Sequence, residues 1–410
     1  MKKYILKSGV SIFWTRKTTI IMFVLIMIIG CNTKTKQNKP TALSASEVTT
    51  TETGDGIKNI KVFYQEGKYG GWPANWGAWN WDNEILVGFT VADHLDTTRG
   101  HTFDVGTAYT KFARSLDGGL TWSLEDGYSK GITESTFEHN LGEKSEESIS
   151  LSEEIDFTNP NFAMTFRART LLDGPSSFYY TYDRGKKWTG PFKLEVDFED
   201  RRPVGIVSRT DYIVEGPHEM TAFLTVGFRD NNINWREVAC VRTIDGGKTW
   251  KHLSWVGEEQ VNSIMPSSVR LGPSRLLTTI RQTKPPKMVS FLSEDNGITW
   301  KQQVNPVLVD SNGNPPALLK LKDGRLCIIY GIRKKETMPD GIGMYVAYSN
   351  NEGRSWSNPE LLRGKDGAVW DIGYPRAVLL PSGKVVALYY YNNADNGDKH
   401  RYIAATIFQP

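Results

Sequence analysis

Ser115-Leu116-Asp117-Gly118-Gly119-Leu120-Thr121-Trp122 is echoed further along the chain by Thr181-Tyr182-Asp183-Arg184-Gly185-Lys186-Lys187-Trp188. The pattern Ser/Thr-x-Asp-x-Gly-x-x-Trp returns from Thr243 through Asp245 and Gly247 to Trp250, and from Ser293 through Asp295 and Gly297 to Trp300. A fifth copy, Ser349 to Trp356, carries Asn351 in place of the acid. The chemistry is that of a tight turn between two strands. An Asp or Asn side chain accepts hydrogen bonds from turn amides, Gly supplies a positive φ, and Trp buries a large ring. One such octapeptide is a weak signal, but five, with Trp-to-Trp spacings of 66, 62, 50 and 56 residues, define a repeat architecture.

An apolar or alternating strand precedes each copy and another follows it, which predicts four-stranded antiparallel blades. Inner and middle strands fall into pairs: Gly77–Trp81 with Glu84–Thr90, Ile264–Leu271 with Arg275–Arg281, Pro316–Leu321 with Arg325–Arg333, and Tyr374–Leu380 with Lys384–Tyr391. One more strand, Arg401–Phe408, follows the last pair and leaves the sixth blade a strand short. The spare segment Ile57–Gln65 is able to fill that gap and remove a free sheet edge. The expectation is an all-β, six-bladed β-propeller closed by its own N-terminal strand.

The octapeptide is the Asp-box, and from about residue 57 to 410 the chain resembles the sialidase-like (BNR/Asp-box) β-propellers. That leaves the first 56 residues outside the propeller. Lys2, Lys3, Lys7, Arg16 and Lys17 precede an apolar run from Ile20 to Ile29, which is too short to span a bilayer. Residues 1–30 therefore read as a secretory signal. Ile28-Ile29-Gly30-Cys31 resembles a bacterial lipoprotein box, which implies lipidation at Cys31 and a membrane-anchored protein of the bacterial cell envelope. Residues 31–56, rich in Thr, Ser, Lys and Asn, read as the lipidated flexible tether, with the propeller at 57–410. Cys240 and Cys327 fall in apolar strand patterns of different repeats and are expected as two buried thiols, not a disulfide or a metal site. The net charge of +3 is too small and scattered to point to nucleic acid. The expected form is a monomer that needs no cofactor and no metal.

Strand parity separates the faces. The boxes join strands three and four on one face, so the loops between strands two and three, and those between blades, lie on the other, where function is expected. Blade one contributes His94, Arg99 and His101 to that face, with His139 in a later inter-blade segment and His400 near the last strand. Arg202, Arg281, Arg333 and Arg376 come from other blades. Guanidinium forks converging on one pocket suit a carboxylate or sulfate. Trp76 is a candidate sugar platform, as is Trp72.

The resemblance implies an arginine triad, a tyrosine nucleophile paired with a glutamate, and an aspartate acid/base. Tyr374, in Gly-Tyr-Pro-Arg-Ala-Val, matches the tyrosine position, and Arg281 and Arg333 match two arginines. The Phe/Tyr-Arg-Ile-Pro motif of sialidases is absent, however, and Ser263-Ile264-Met265-Pro266 stands where the glutamate is expected. The residue inventory is closer to that of uronate lyases and rhamnosidases of related fold, which depend on histidine, tyrosine and arginine.

The expected activity is accordingly that of an exo-acting enzyme on acidic, uronate-containing oligosaccharides, working by β-elimination. His94 or His101 would be the base, Tyr374 the acid or hydrogen-bond donor, and Arg202 and Arg281 the carboxylate clamp. A histidine titrates near neutrality, which suits proton abstraction there. The alternatives are an exo-glycosidase of sialidase or rhamnosidase type and a non-catalytic glycan-binding propeller.

Overall fold

Each box closes on itself. In the first, the Asp117 carboxylate accepts from the Leu120 and Thr121 amides at 3.0 and 2.9 Å and from the Thr121 hydroxyl at 2.6 Å, while Ser115 Oγ accepts from Gly119 N at 2.8 Å. In the fifth, Asn351 Oδ1 accepts from Ser355 N at 2.9 Å, so the amide reproduces the geometry of the acid it replaces. These bonds favour the carboxylate: donation by Thr299 and its amide holds Asp295 down at about 2. The box tryptophans pack between blades, as Trp188 does by stacking on Phe112 at 5.7 Å.

The computed structural model describes residues 50–52, 56–97, 100–132, 147–168, 170, 172–199, 201–307 and 314–410. The signal, most of the tether, Cys31, Arg99 and His139 lie outside the described residues. Six small sheets, antiparallel but for one short pairing of 196–197 with 250–251, follow one another along the chain. Six apolar clusters, one between each blade and the next and one between the last and the first, hold them in a ring. Flat apolar sheet faces stacked in this way leave no face uncovered. Cys240 and Cys327 are buried free thiols inside these clusters, pushed up to about 12 by burial.

Lys58–Phe63 pairs antiparallel with Asp398–Phe408, with Lys58 opposite Ile407, and so closes the sixth blade as the strand count requires. Thr50–Glu52 adds a further short strand outside it, so pairing begins earlier than residue 57. Blade two departs from the four-strand pattern. Among the described residues its sheet holds three strands, Ala163–Ala168, Ser176–Thr181 and Thr189–Lys193. In blade three the inner strand is broken into Gly205–Ile206 and Tyr212–Val214, both paired with Met220–Asp230. In blade one the inner strand is likewise broken, into Lys68–Gly71 and Gly77–Trp81, both paired with Glu84–His94, and a single helical turn, Pro73–Trp76, occupies the break inside the ring. Its Trp76 carbonyl accepts from Thr165 and Thr210 of blades two and three.

Candidate functional site

On the face opposite the boxes a cavity of about 380 Å³ opens into the ring. It is lined by Trp72, Asn75 and His101 from blade one, Arg209 and Arg236 from blade three, Met265 and Arg281 from blade four, and Tyr374 from blade six, among others. No carboxylate is among the described residues that line it.

Tyr374 begins the inner strand of blade six at φ 51°, a left-handed conformation that a bulky residue keeps only when its surroundings enforce it. Here the buried Asn314 enforces it, accepting from Tyr374 N and donating to Ile372 O, both at 3.0 Å. Gly373, at φ 106°, must be glycine, since a Cβ would lie 2.3 Å from the Asn314 amide. The Tyr374 oxygen accepts from Arg281 Nη1 at 2.8 Å. Burial alone would raise this phenol, but the charges of Arg281 and Arg333, the Arg281 hydrogen bond and Arg209 outweigh it and hold Tyr374 below the ordinary tyrosine value.

The other reactive group is His101, in the loop between blade one's long strands Glu84–His94 and Phe103–Ser115. Its Nδ1 lies 2.7 Å from Asp371 Oδ1, and its ring meets Trp72 edge-on at 5.0 Å. Asp371 is completely buried and also accepts from Tyr390 at 2.6 Å and Arg401 at 3.2 Å. Burial works against its ionisation, but the His101 hydrogen bond and charge, with Arg401 and Arg333, keep it below the ordinary carboxylate value. A carboxylate anchored in this way orients the imidazole and leaves Nε2 as the second nitrogen of a ring that lines the cavity. Trp370, 39% exposed, lies 5.9 Å from His101.

Arg209, Arg236 and Arg281 make the cavity cationic. Arg209 is pushed down to about 10, by burial first and then by the like charges of Arg236 and Arg281 against the opposing pull of Tyr374. Burial and Arg281 lower Arg236 as well. Three guanidiniums around a single space favour an anion there.

Of the described candidates, His101, Tyr374, Arg281 and Trp72 are brought together at the cavity, whereas His94, Arg202, Arg333, Arg376 and Trp76 are not. His94 ends its strand away from the cavity, 4.8 Å from His400. Arg202 is exposed and does not line the cavity. Arg333 is buried behind Tyr374, bonded to Ile372 O and Tyr390. Arg376 donates to the Ala74 and Thr210 carbonyls and faces a different cavity. Trp76 is wholly buried, its indole nitrogen donating to Thr90, so its ring is closed to a sugar, whereas Trp72 lines the cavity. At the expected glutamate position, Ile264 and Met265 line the wall. Sequence reasoning did not find Arg209 and Arg236. Arg209 sits in the break of blade three's inner strand, where alternation stops. Arg236 reads as an ordinary outward residue of a hairpin. Among the described residues, no cluster of three His, Cys, Asp or Glu is placed to hold a metal ion.

Residues 175–387 match the family described as BNR repeat-like domain. Among solved structures, a protein of unknown function from Dyadobacter fermentans superposes with a TM-score of 0.63 at 19% identity, over 86% of this chain and 98% of that one. A sialidase from Streptococcus pneumoniae gives 0.53 at 11% identity, over 90% and 71%. An α-L-arabinofuranosidase from Fusarium graminearum gives 0.51 at 11%, over 84% and 98%. No curated protein sequence matches the chain. At these identities the likeness is one of fold.

Proposed function

We propose, for a chain that belongs to the BNR repeat-like domain family, that the cavity takes the terminal uronate of an acidic oligosaccharide and cleaves it by β-elimination. The observation that carries this reading is the pairing, in a cavity lined by arginines and no described carboxylate, of an Asp371-backed His101 with an arginine-acidified Tyr374. Glycoside hydrolysis ordinarily needs two carboxyl groups flanking the bond. Elimination needs a cation on the carboxylate, a base for the C5 proton and an acid for the leaving oxygen.

In the proposed step, Arg209, Arg236 and Arg281 hold the uronate carboxylate. His101 Nε2 takes the C5 proton, the C5–H electron pair forms the C4=C5 double bond, and the C4–O bond breaks as Tyr374 gives its proton to the departing oxygen. The resulting phenolate is stabilised by Arg281 and Arg333, the groups that already favour it at rest. Proton exchange with solvent restores both residues. The Pro73–Trp76 turn within the ring fits an exo-acting pocket that admits one chain end, with the exposed Trp370 beside His101 as a stacking surface.

Hydrolysis by an exo-glycosidase is the second reading. It is favoured by the same phenol, which can serve as a nucleophile, and by the sialidase and arabinofuranosidase among structures of this fold. Incubation with uronate-ended and sialylated oligosaccharides separates the two readings. Elimination produces an ultraviolet-absorbing product with no added water, whereas hydrolysis adds a water and no absorbance, and the latter result would overturn the elimination reading. Lipid anchoring at Cys31 belongs to the same proposal. Cys31→Ser should move the protein out of the membrane fraction, and unchanged retention would refute the anchor.

A further inference from the structure

Ala163–Ala168 pairs only with Ser176–Thr181, so blade two presents its inner edge with no described strand beside it. Backbone donors on such an edge need partners. Side chains from the broken inner strand of blade three supply them. Tyr212 Oη accepts from Met164 N at 3.2 Å, and Thr210 Oγ1 accepts from Phe166 N at 3.1 Å. Beside this edge lies a second cavity of about 330 Å³, lined by Asn80, Trp81, Phe162, Asp211, Tyr212 and Arg376 among others.

The two cavities stand one behind the other. Arg209 and Tyr374 line the first, and Asp211 and Arg376, two residues further along the same chain segments, line the second. The Pro73–Trp76 turn separates them: Asn75 faces the first, and the Ala74 carbonyl accepts from Arg376 at 2.8 Å.

Their chemistry differs. The first carries three guanidiniums, whereas in the second Asp211 and Arg376 offset each other, so an anion gains little there. Asp211 accepts from Ser268 Oγ at 2.7 Å. Burial, opposed by Arg376 and Ser268, pushes it up to about 6, as expected of a carboxylate with too few donors. The Tyr212 oxygen already accepts from Trp79 Nε1 and Met164 N, which leaves its hydroxyl proton to donate. Trp81 and Phe162 are half-buried rings, suited to the C–H face of a sugar.

We infer that this second cavity is a carbohydrate site for a neutral monosaccharide unit, with Asp211 accepting its hydroxyls, Tyr212 and Asn80 completing the polar contacts, and Trp81 and Phe162 bracketing the ring. The inference rests on the reading that the protein handles carbohydrate, but not on the reaction assigned to the first cavity.

Calorimetric titration with matched pairs, glucose against glucuronate and galactose against galacturonate, tests it. A neutral sugar should bind with a dissociation constant on the order of millimolar. Binding should be essentially unchanged in Arg281→Ala and weakened about tenfold or more in both Trp81→Ala and Phe162→Ala. The uronates should show the opposite dependence. Melting curves identify a variant that has failed to fold, in which case the other ring variant decides. Absence of neutral-sugar binding to the wild type would overturn the proposal, as would binding lost with Arg281 and kept in the folded ring variants. If uronate oligosaccharides yield no product while neutral sugars bind as described, the reaction reading fails and the second site stands.

Discussion

On the face that carries the boxes, Asp117, Asp295 and Asn351 direct their side-chain oxygens at their own turn amides, whereas on the opposite face His101, Tyr374 and Arg281 line a cavity. Both sets are polar residues at strand ends of the same blades. The first set is locally satisfied and repeats from blade to blade. The second is assembled once, from residues far apart in sequence, and depends on departures from the repeat: the broken inner strand that carries Arg209, and the turn at Pro73–Trp76. Repetition in this ring marks stability, and interruption of the repeat marks the candidate chemistry.

The largest effects are expected on removing the reacting groups. Tyr374→Phe and His101→Ala should each lower turnover on uronate oligosaccharides by about 10²–10⁴-fold, and melting curves beside them separate lost chemistry from the stability that His101 lends to the buried Asp371. Near wild-type turnover in either variant would mean that this face does not carry the reaction. Next in size is an effect on the pH profile. Tyr374 must keep its proton to act as the acid, so activity should fall as pH rises through its pKa, which lies below the ordinary tyrosine value. The positive charge of Arg281 favours the phenolate. Arg281→Ala should therefore raise the Tyr374 pKa and move the alkaline limb to higher pH, and an unmoved limb would separate Tyr374 from the rate.

The box face should give the reverse result. Asp117→Ala removes an acceptor shared by two amides and a hydroxyl and should cost about 1–2 kcal/mol of stability with kcat/KM unchanged, measured by denaturant unfolding beside activity. Asp211 should make stability depend on pH. Its folded pKa, about 6, lies above the ordinary Asp value of 3.8, so the folded state binds the proton more tightly. This group's contribution makes the protein more stable as pH falls from above 6 toward 4, and less stable as pH rises. Asp211→Asn should remove that slope and stabilise the protein at neutral pH. An unchanged slope would show that Asp211 does not set it.

The same division explains what could be read from sequence. The five boxes, the ring of six and the N-terminal closure follow from local pattern and a strand count, because alternation and turn chemistry are short-range properties. Inner strands could be paired for blades one, four, five and six, but not for two and three: blade three's is broken, blade two shows none among the described residues, and of blade one's equally broken strand only the second half, Gly77–Trp81, was legible. His101, Tyr374 and Arg281 were legible because they stand at predicted strand ends or loops of the correct face. Asp371 carries no local signal of its partnership with a histidine 270 residues away. Arg209 and Arg236 became visible only when the folded inner wall of blade three placed them beside Arg281. Trp76 failed in the opposite sense: an aromatic cluster in sequence does not reveal which ring faces inward.

The closing strand has a consequence for biogenesis. Lys58–Phe63 leaves the ribosome long before its partner Asp398–Phe408, and nearly the whole domain separates them. Until that partner emerges, the ring is an open arc with an unpaired edge at each end, and contacts of such long sequence separation form slowly. The synthesis order therefore imposes a waiting period on the first strand, during which it must avoid pairing with the edges of unfinished neighbours. If the chain is exported as the signal-like N-terminus implies, that period is best spent unfolded in the company of the export machinery, and folding would begin in earnest only once the final strand has crossed.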